Sequence, residues 1–410
     1  MQNYRRSVVA KFHNIHRVLW SIPVVTVLVV AQSHSLPAQL YVQTNLVSDL
    51  PGMAQVTDTN LVGAWGITRS TASPWWVNTT FSGLSLLFNG AGQPLPIVVA
   101  IPPTNPNPAT ATGIAFNGRA GFEVASNVPA RFIFATLNGT ISGWNSAQSN
   151  TALAVLKVDN SGTAGYTGLT LASKGGEDFL YAANFMQDKI DVFDSTFTPV
   201  SLSDGAFSAK GVASNLSVFN VQLIGDVLYV TYAPTNVFGG GTGPGVGSVQ
   251  VFDLNGKWLD QLEPGFWMNS PWGVTMAPAN FGELSNRILV GMFGSGVIAG
   301  FDQKHGKFSD FLRNTDELPL IITKGLWGLG FGNGGNAGAT NTLFFAADFR
   351  FGGEFHGLFG TLSATGDAQN NDNDNDNDHG NGNDKGHGND NGKGHGKGHS
   401  KGKNSHSKAK

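Results

Sequence analysis

The 410-residue sequence predicts an all-β chain folded as a six-bladed β-propeller of four-stranded antiparallel blades, closed by an N-terminal strand in the last blade. Three observations predict it. One three-part phrase returns roughly every 50 residues between 39 and 366. Outside the first 38 residues there is no convincing helical periodicity, only short alternating apolar runs that end in Gly, Asn and Asp turns. The sixth copy of the phrase supplies three strands, and a strand-like segment, 39 to 50, is left over before the first copy.

Each copy begins with an apolar strand opened by Gly, usually behind Trp or Thr: Trp65-Gly66-Ile67, Thr112-Gly113-Ile114, Thr167-Gly168-Leu169, Trp272-Gly273-Val274 and Trp327-Gly328-Leu329. Phe219-Asn220-Val221 is the variant copy. A β-branched and aromatic run comes second, as in WWVNTT (75 to 80), FLYAANF (179 to 185) and TLFFAADF (342 to 349). The third part ends in an aromatic plus Asp or Asn: Phe88-Asn89, Trp144-Asn145, Phe193-Asp194, Phe252-Asp253 and Phe301-Asp302. In the sixth copy, Leu358-Phe359-Gly360, the acid is lost. A more polar fourth strand follows most copies, for example TALAVLKVD (151 to 159) and GKWLDQL (256 to 262). The leftover QLYVQTNLVSDL (39 to 50) becomes the outermost strand of the sixth blade, because a ring must tie its ends together to avoid open strand edges.

Aromatic burial is the force that stacks such blades. One buried ring removes about 150 to 250 Å² from water, about 4 to 6 kcal/mol as an upper bound before entropy is counted. Trp65, Trp272 and Trp327 recur at equivalent positions of the repeat and therefore read as packing residues rather than as a ligand-stacking set.

Composition narrows the function classes. With no Cys among 410 residues, a disulfide scaffold, a CxxC redox site and Cys-ligated zinc are excluded. Residues 39 to 366 hold 14 Lys/Arg against 21 Asp/Glu, a balance of −7 that argues against nucleic acid as a partner. Residues 1 to 38 read as a secretory signal: Arg5, Arg6, Lys11 and Arg17 precede the apolar run 18 to 31, and cleavage is expected between about 31 and 38. That run is short for a membrane span, so the mature chain is expected to cross no membrane. From 367 to 410 the chain is Asn, Asp, Gly, His and Lys, a composition that cannot build a core and is expected to stay disordered.

The starts of the innermost strands and the ends of the second strands should share one face, around the mouth of the central channel. Asn60, Tyr166, Asn269, Ser270 and Lys324 fall in the first set of loops, and Asn78, Asn184, Asn236, Asp348, Arg350, Glu354 and His356 in the second. Asn78, Asn184, Asn269, Lys324, Asp348 and Arg350 are the candidate ligand-binding residues. Asn184 and Asp348 occupy matching positions in Ala-Ala-Asn-Phe and Ala-Ala-Asp-Phe, and two such oxygens with loop carbonyls would make part of a Ca²⁺ site. The loop DFRFGGEFHG (348 to 357) brings Glu354 and His356 together as candidate acid/base residues. His387, His395 and His399 in the tail are candidate ligands for a divalent metal. The glycine run 239 to 247 is expected to form a long turn and a lid over the mouth.

The phrases NSPWGVTMAP (269 to 278), LYAANFMQDKIDVFD (180 to 194), GLWGLGFGNG (325 to 334) and HGLFGTL (356 to 362) resemble a family of uncharacterised bacterial secreted propellers, some of which end in a PEP-CTERM sorting segment. This chain carries its polar tail there instead. More distantly it is similar to NHL-repeat proteins, streptogramin lyase and gluconolactonases. The metal-binding carboxylate pattern of the lactonases does not line up here; only Asn184 and Asp348 are loosely comparable.

The expectation is an exported binding or scaffold module, secreted, periplasmic or at the cell surface, needing no cofactor and meeting a protein, polysaccharide or small molecule at the channel face. The alternatives are a hydrolase or lyase using a channel metal such as Ca²⁺, and metal capture by the tail.

Overall fold

A computed structural model of the chain describes residues 40–104 and 108–365. The expected signal segment and polar tail lie outside the described residues. Six antiparallel blades follow one another along the chain. Blade 1 runs Ala64–Thr68, Trp75–Thr79, Leu84–Phe88 and Pro94–Ala100; blade 2 runs Ala111–Phe116, Phe132–Thr136, Thr140–Trp144 and Val155–Asp159. Blade 3 has Tyr166–Lys174, Glu177–Asn184 and Lys189–Asp194, with its outer position reduced to a bridge between Phe193 and Pro199. Blade 4 consists of Leu216–Ile224, Val227–Pro234, Ser248–Phe252 and Trp258–Gln261, and blade 5 of Pro271–Met276, Arg287–Met292, Ile298–Asp302 and Phe308–Phe311. Blade 6 takes Leu326–Phe331, Leu343–Phe351 and Glu354–Ala364 from the C-terminal side.

Its outermost strand is Tyr41–Ser48, antiparallel to Glu354–Ala364 in a register that sets Tyr41 opposite Ala364 and Ser48 opposite Leu358. The predicted closure is therefore the observed one. Side chains reinforce the seam: Ser48 Oγ donates to Gly357 O at 2.8 Å, and Tyr41 OH donates to Phe281 O of the neighbouring blade at 2.7 Å. Helix is confined, among the described residues, to three single 3₁₀ turns.

A buried apolar cluster lies at every one of the six blade interfaces. Alternation along each strand feeds two of them at once. Trp75 packs toward blade 6, 5.0 Å from Phe344, and its neighbour Trp76 packs toward blade 2, 4.0 Å from Phe132.

The repeated glycine is explained by how closely the innermost strands approach one another around the channel. A Cβ at Gly66 would run into Thr112 O, one at Gly113 into Gly168 and Leu169, one at Gly168 into Asn220, one at Gly273 into Trp327 O and one at Gly328 into Trp65 O and Ile67. Each glycine thus seats the backbone of the next blade. The variant Asn220 sits where the sixth glycine would be, and its Nδ2 donates to Trp272 O at 2.8 Å, which completes the circle with a side chain.

Candidate functional site

The channel has three levels. At the closed face, where the innermost strands begin, the residues that precede the glycines turn inward and fill the mouth: Trp65, Phe219, Trp272 and Trp327 are all buried there. Trp65 stacks on Trp327 with centroids 3.4 Å apart and planes at 16°, and Trp272 stands edge-on to both. Trp65 Nε1 and Trp272 Nε1 donate to the same carbonyl, Thr167 O, at 3.2 and 3.1 Å. The glycine-run loop supplies Phe238, 51 % exposed, whose ring lies 6.1 Å from Trp65 and 6.4 Å from Trp327. The expected lid is present, and what it covers is an aromatic plug. The three tryptophans are packing residues, as their recurrence in the repeat implies.

Below the plug a neck of about 20 Å³ passes the glycine level. It widens into a cavity of about 510 Å³ at the open face, where the innermost strands end. Ile67, Ile114, Leu169, Val274 and Leu329 give it apolar walls, with Gln222 and Thr68, Thr170 and Thr275 interspersed. Among the described residues, its only ionisable lining residue is Arg69. The Arg69 guanidinium is half-buried and held by three carbonyls: Nε to Phe331 O at 2.6 Å, Nη2 to Gly332 O at 2.9 Å and Nη1 to Ser70 O at 3.3 Å. Its charge lies 5.7 Å from the Trp75 ring centroid, and burial lowers its pKa from the ordinary arginine value. A guanidinium stays charged in any protein setting, and no carboxylate among the described residues pairs with this one. Two of its five N–H groups have no acceptor among the described residues.

The residues expected to form a site at the closed face are dispersed. Asn78 is buried, and its Nδ2 donates to Thr112 O and Gly113 O between blades 1 and 2. Asn184 donates to Asp191 Oδ2 at 2.9 Å and to Gln187 Oε1 at 3.3 Å, and accepts from Gly165 N–H, in blade 3. Tyr166 donates to Asp191 Oδ2 at 3.1 Å and accepts from Asn160 Nδ2 at 2.8 Å, and burial pushes its phenol pKa up. Asn269 and Ser270 are buried, with Asn269 Oδ1 and Ser270 Oγ lacking a partner. Asn60 forms an exposed turn with Asp58, and Asn236 and Lys324 are exposed.

Asp348 is buried beside Gly325, at which a side chain would collide with the carboxylate. Burial pushes its pKa up to about 7, partly offset by the Trp327 indole, the Arg350 charge and its own backbone N–H. Trp327 Nε1 nevertheless meets no acceptor in good hydrogen-bond geometry, so that offset is weak. The Asn184 side chain is engaged within blade 3 and Asp348 packs against Gly325 at the entry to blade 6, and no hydrogen bond joins the two among the described residues. The described residues hold no group of three His, Asp or Glu side chains fit for a metal ion. His387, His395 and His399 lie outside the described residues.

Arg350 stacks on Phe355 at 4.0 Å, and Glu354 is exposed in the hairpin turn. His356 is engaged by Asp49: its Nδ1 lies 2.8 Å from Asp49 Oδ2, with the side chains 12 % and 9 % exposed. Sequence reasoning missed Asp49, Arg69 and Asp191. Asp49 follows directly on the strand that closes the ring, so the expected place of that strand at the edge of the sixth blade was the signal that could have brought it near His356. Arg69 carried no such signal, because the cavity faces the end of the channel opposite to the expected one.

No protein-family model matches the chain. Uncharacterized protein L690 of Acanthamoeba polyphaga mimivirus is 29 % identical over 290 residues, covering 68 % of this chain and 75 % of that protein. This relative is viral, whereas the family that the sequence phrases resemble is bacterial. Among solved structures, a protein of unknown function from Bacteroides thetaiotaomicron superposes with a TM-score of 0.51 at 11 % identity, covering 80 % of this chain and 76 % of that one, a likeness of fold alone. A streptogramin B lyase structure aligns at a TM-score of 0.46 and 13 % identity, over 80 % of this chain and 98 % of that one, too loosely to bear on function. The chain is a six-bladed β-propeller.

Proposed function

We propose that the chain is an exported, non-catalytic binding module whose ligand enters the open-face cavity: a small amphipathic anion, with its apolar body against the innermost strands and its head on Arg69. The observation that carries this reading is the Arg69 charge, which no carboxylate pairs, on the wall of an otherwise neutral cavity of about 510 Å³ where apolar side chains alternate with polar groups. Cavities of this size and character suit small ligands, and a single placed charge sets orientation. The ligand face in this reading is opposite to the one expected from sequence, because the aromatic plug occupies the other mouth. Leu40 and Thr365 pair at the open face as well. The alternative of a metal-assisted hydrolase or lyase needs Asn184 and Asp348 on one ion, and it would take Asn184 from its present partners Asp191, Gln187 and the Gly165 N–H.

The test is a fluorescence titration of the full chain with 8-anilino-1-naphthalenesulfonate, an apolar sulfonate. Saturable binding that is lost in Leu169→Trp, which fills the cavity, and weakened in Arg69→Met supports the reading. Binding unchanged in both variants overturns it.

A further inference from the structure

Blade 3 is short of one strand, and the reason is local. After Asp194 the chain turns through Phe197, a buried residue at φ 65° that packs against Phe122. It then pairs only briefly: Asp194 N donates to Thr198 O and Val200 N to Val192 O, both at 2.9 Å or less. Pro199 has no N–H to extend the ladder. Beyond it Leu202, Ala206 and Phe207 leave the sheet to pack into the core between blades 3 and 4.

The third strand, Lys189–Asp194, is consequently an edge along its first half. Backbone groups of an antiparallel strand alternate between its two neighbours. Since Val192 O and Asp194 N point outward, Ile190 N–H and C=O and Val192 N–H point outward too. None of these three has a partner among the described residues, although Ile190 is only 4 % exposed. Unpaired backbone groups in so sheltered a strand are rare, because each leaves a hydrogen bond unmade. They open onto a groove of about 530 Å³. One wall of that groove is apolar, formed by Pro199, Val200, Leu202 and Ala206; the other is polar, with Asn160, Gln187 and the Lys189–Asp191 ion pair at 2.9 Å.

We infer that the vacant outer position of blade 3 is a docking slot for an extended peptide segment of a partner protein, which adds as the missing strand. One residue of such a peptide offers Ile190 both the acceptor and the donor it lacks, which is the pairing used when a strand is added to a sheet edge. The vacancy spans three residues, about 10 Å at roughly 3.4 Å per residue. Its two walls set the sequence preference, since alternate side chains of the added strand face opposite ways. One set meets Val200 and Leu202 and should be apolar; the other meets Gln187 and Asp191 and should be polar. This slot is separate from the Arg69 cavity, so the two readings stand or fall independently.

The test selects a phage-displayed library of random linear dodecapeptides on the full chain and follows amide hydrogen exchange by NMR with the enriched peptides bound. The expected result is at least about tenfold slower exchange at the Ile190 amide. Synthetic copies of the peptides, N-methylated at the amide that pairs with Ile190 O, should lose binding without any change to the protein. Failure to enrich any peptide, enriched peptides that leave Ile190 exchange unchanged, or full binding by the N-methylated copies overturns the inference. So does a dimer in sedimentation equilibrium of the peptide-free chain that itself protects Ile190, since a second copy would then be the occupant.

Discussion

Asp49 holds His356 across the seam of the ring: Oδ2 lies 2.8 Å from the imidazole Nδ1, while Oδ1 accepts the Gly357 N–H at 2.7 Å. One carboxylate therefore bonds both a side chain and the backbone of the C-terminal strand from the end of the N-terminal one. Replacing it leaves a buried imidazole and a buried amide without partners. Asp49→Ala is expected to lower stability by about 2–4 kcal/mol, and Asp49→Asn, which keeps an oxygen for Gly357, by about half of that. Urea unfolding at constant slope checks both. Equal losses for the two variants would show that the His356 contact, rather than the backbone latch, carries the effect.

The glycine circle makes a coupled expectation. A methyl at Gly168 falls onto the Asn220 side chain and within 2.8 Å of its Cα. Gly168→Ala should therefore cost about 3 kcal/mol or more, well above an exposed loop position such as Gly162, where no atom lies within 4 Å and only the left-handed φ of 80° opposes a side chain. Asn220→Gly loses the bond to Trp272 O, a loss of about 1–2 kcal/mol. Because Asn220 is the residue in the way, the double variant should be more stable than the sum of the single losses. Strict additivity in a double-mutant cycle would show that the two blades do not meet there in solution.

Asp348 gives the protein a pH response with a definite sign. Its carboxyl is held at about 7 in the folded chain against an ordinary value of 3.8, so the folded state binds the proton more tightly. The stability this supplies is fully present below pH 3.8, and it is lost as pH rises toward and through 7. Above that the buried charge is a fixed penalty. Asp348→Asn removes the titration with little change of shape, and it should stabilise the chain at pH 8 by up to about 4 kcal/mol while making little difference at pH 4. Thermal melts of both proteins at the two pH values measure this; a variant less stable than the parent at pH 8 would mean that the charged carboxylate has a partner in solution.

How far the sequence reached follows from what each feature depends on. Blade number, strand order and the N-terminal closure rest on local patterns repeated six times, and the copies corroborate one another. Thus Gly66, Gly273 and their counterparts marked the innermost strands even though the reason for the glycines, the approach of the next blade, became visible only in three dimensions. The site residues depend on which end of the channel is filled. Trp65, Trp272 and Trp327 were legible as packing residues, but not that they and Phe219 converge on one mouth, which moved the accessible cavity to the other end, beside Arg69. Single contacts between distant segments, such as Asp49 with His356, leave no periodic trace. The vacancy in blade 3 was hidden for a related reason: Val200 and Leu202 look like strand residues and are apolar because they face the next blade.

The plug also makes the two faces separable by experiment. Trp327 is buried and stacked on Trp65, so Trp327→Ala opens a large void in the middle of the ring and should cost about 3–5 kcal/mol. Phe238 lies over the same cluster but remains half in water, so Phe238→Ala should cost about 1 kcal/mol or less. Neither residue lines the open-face cavity, which lies beyond the glycine neck. Phe238→Ala should therefore leave the affinity for 8-anilino-1-naphthalenesulfonate unchanged, while Leu169→Trp abolishes it at a cost of about 1–3 kcal/mol in stability, because Leu169 is buried. A Phe238→Ala protein that folds normally but loses the probe would place the binding site at the closed face and return Lys324, Asp348 and Arg350 to its surroundings.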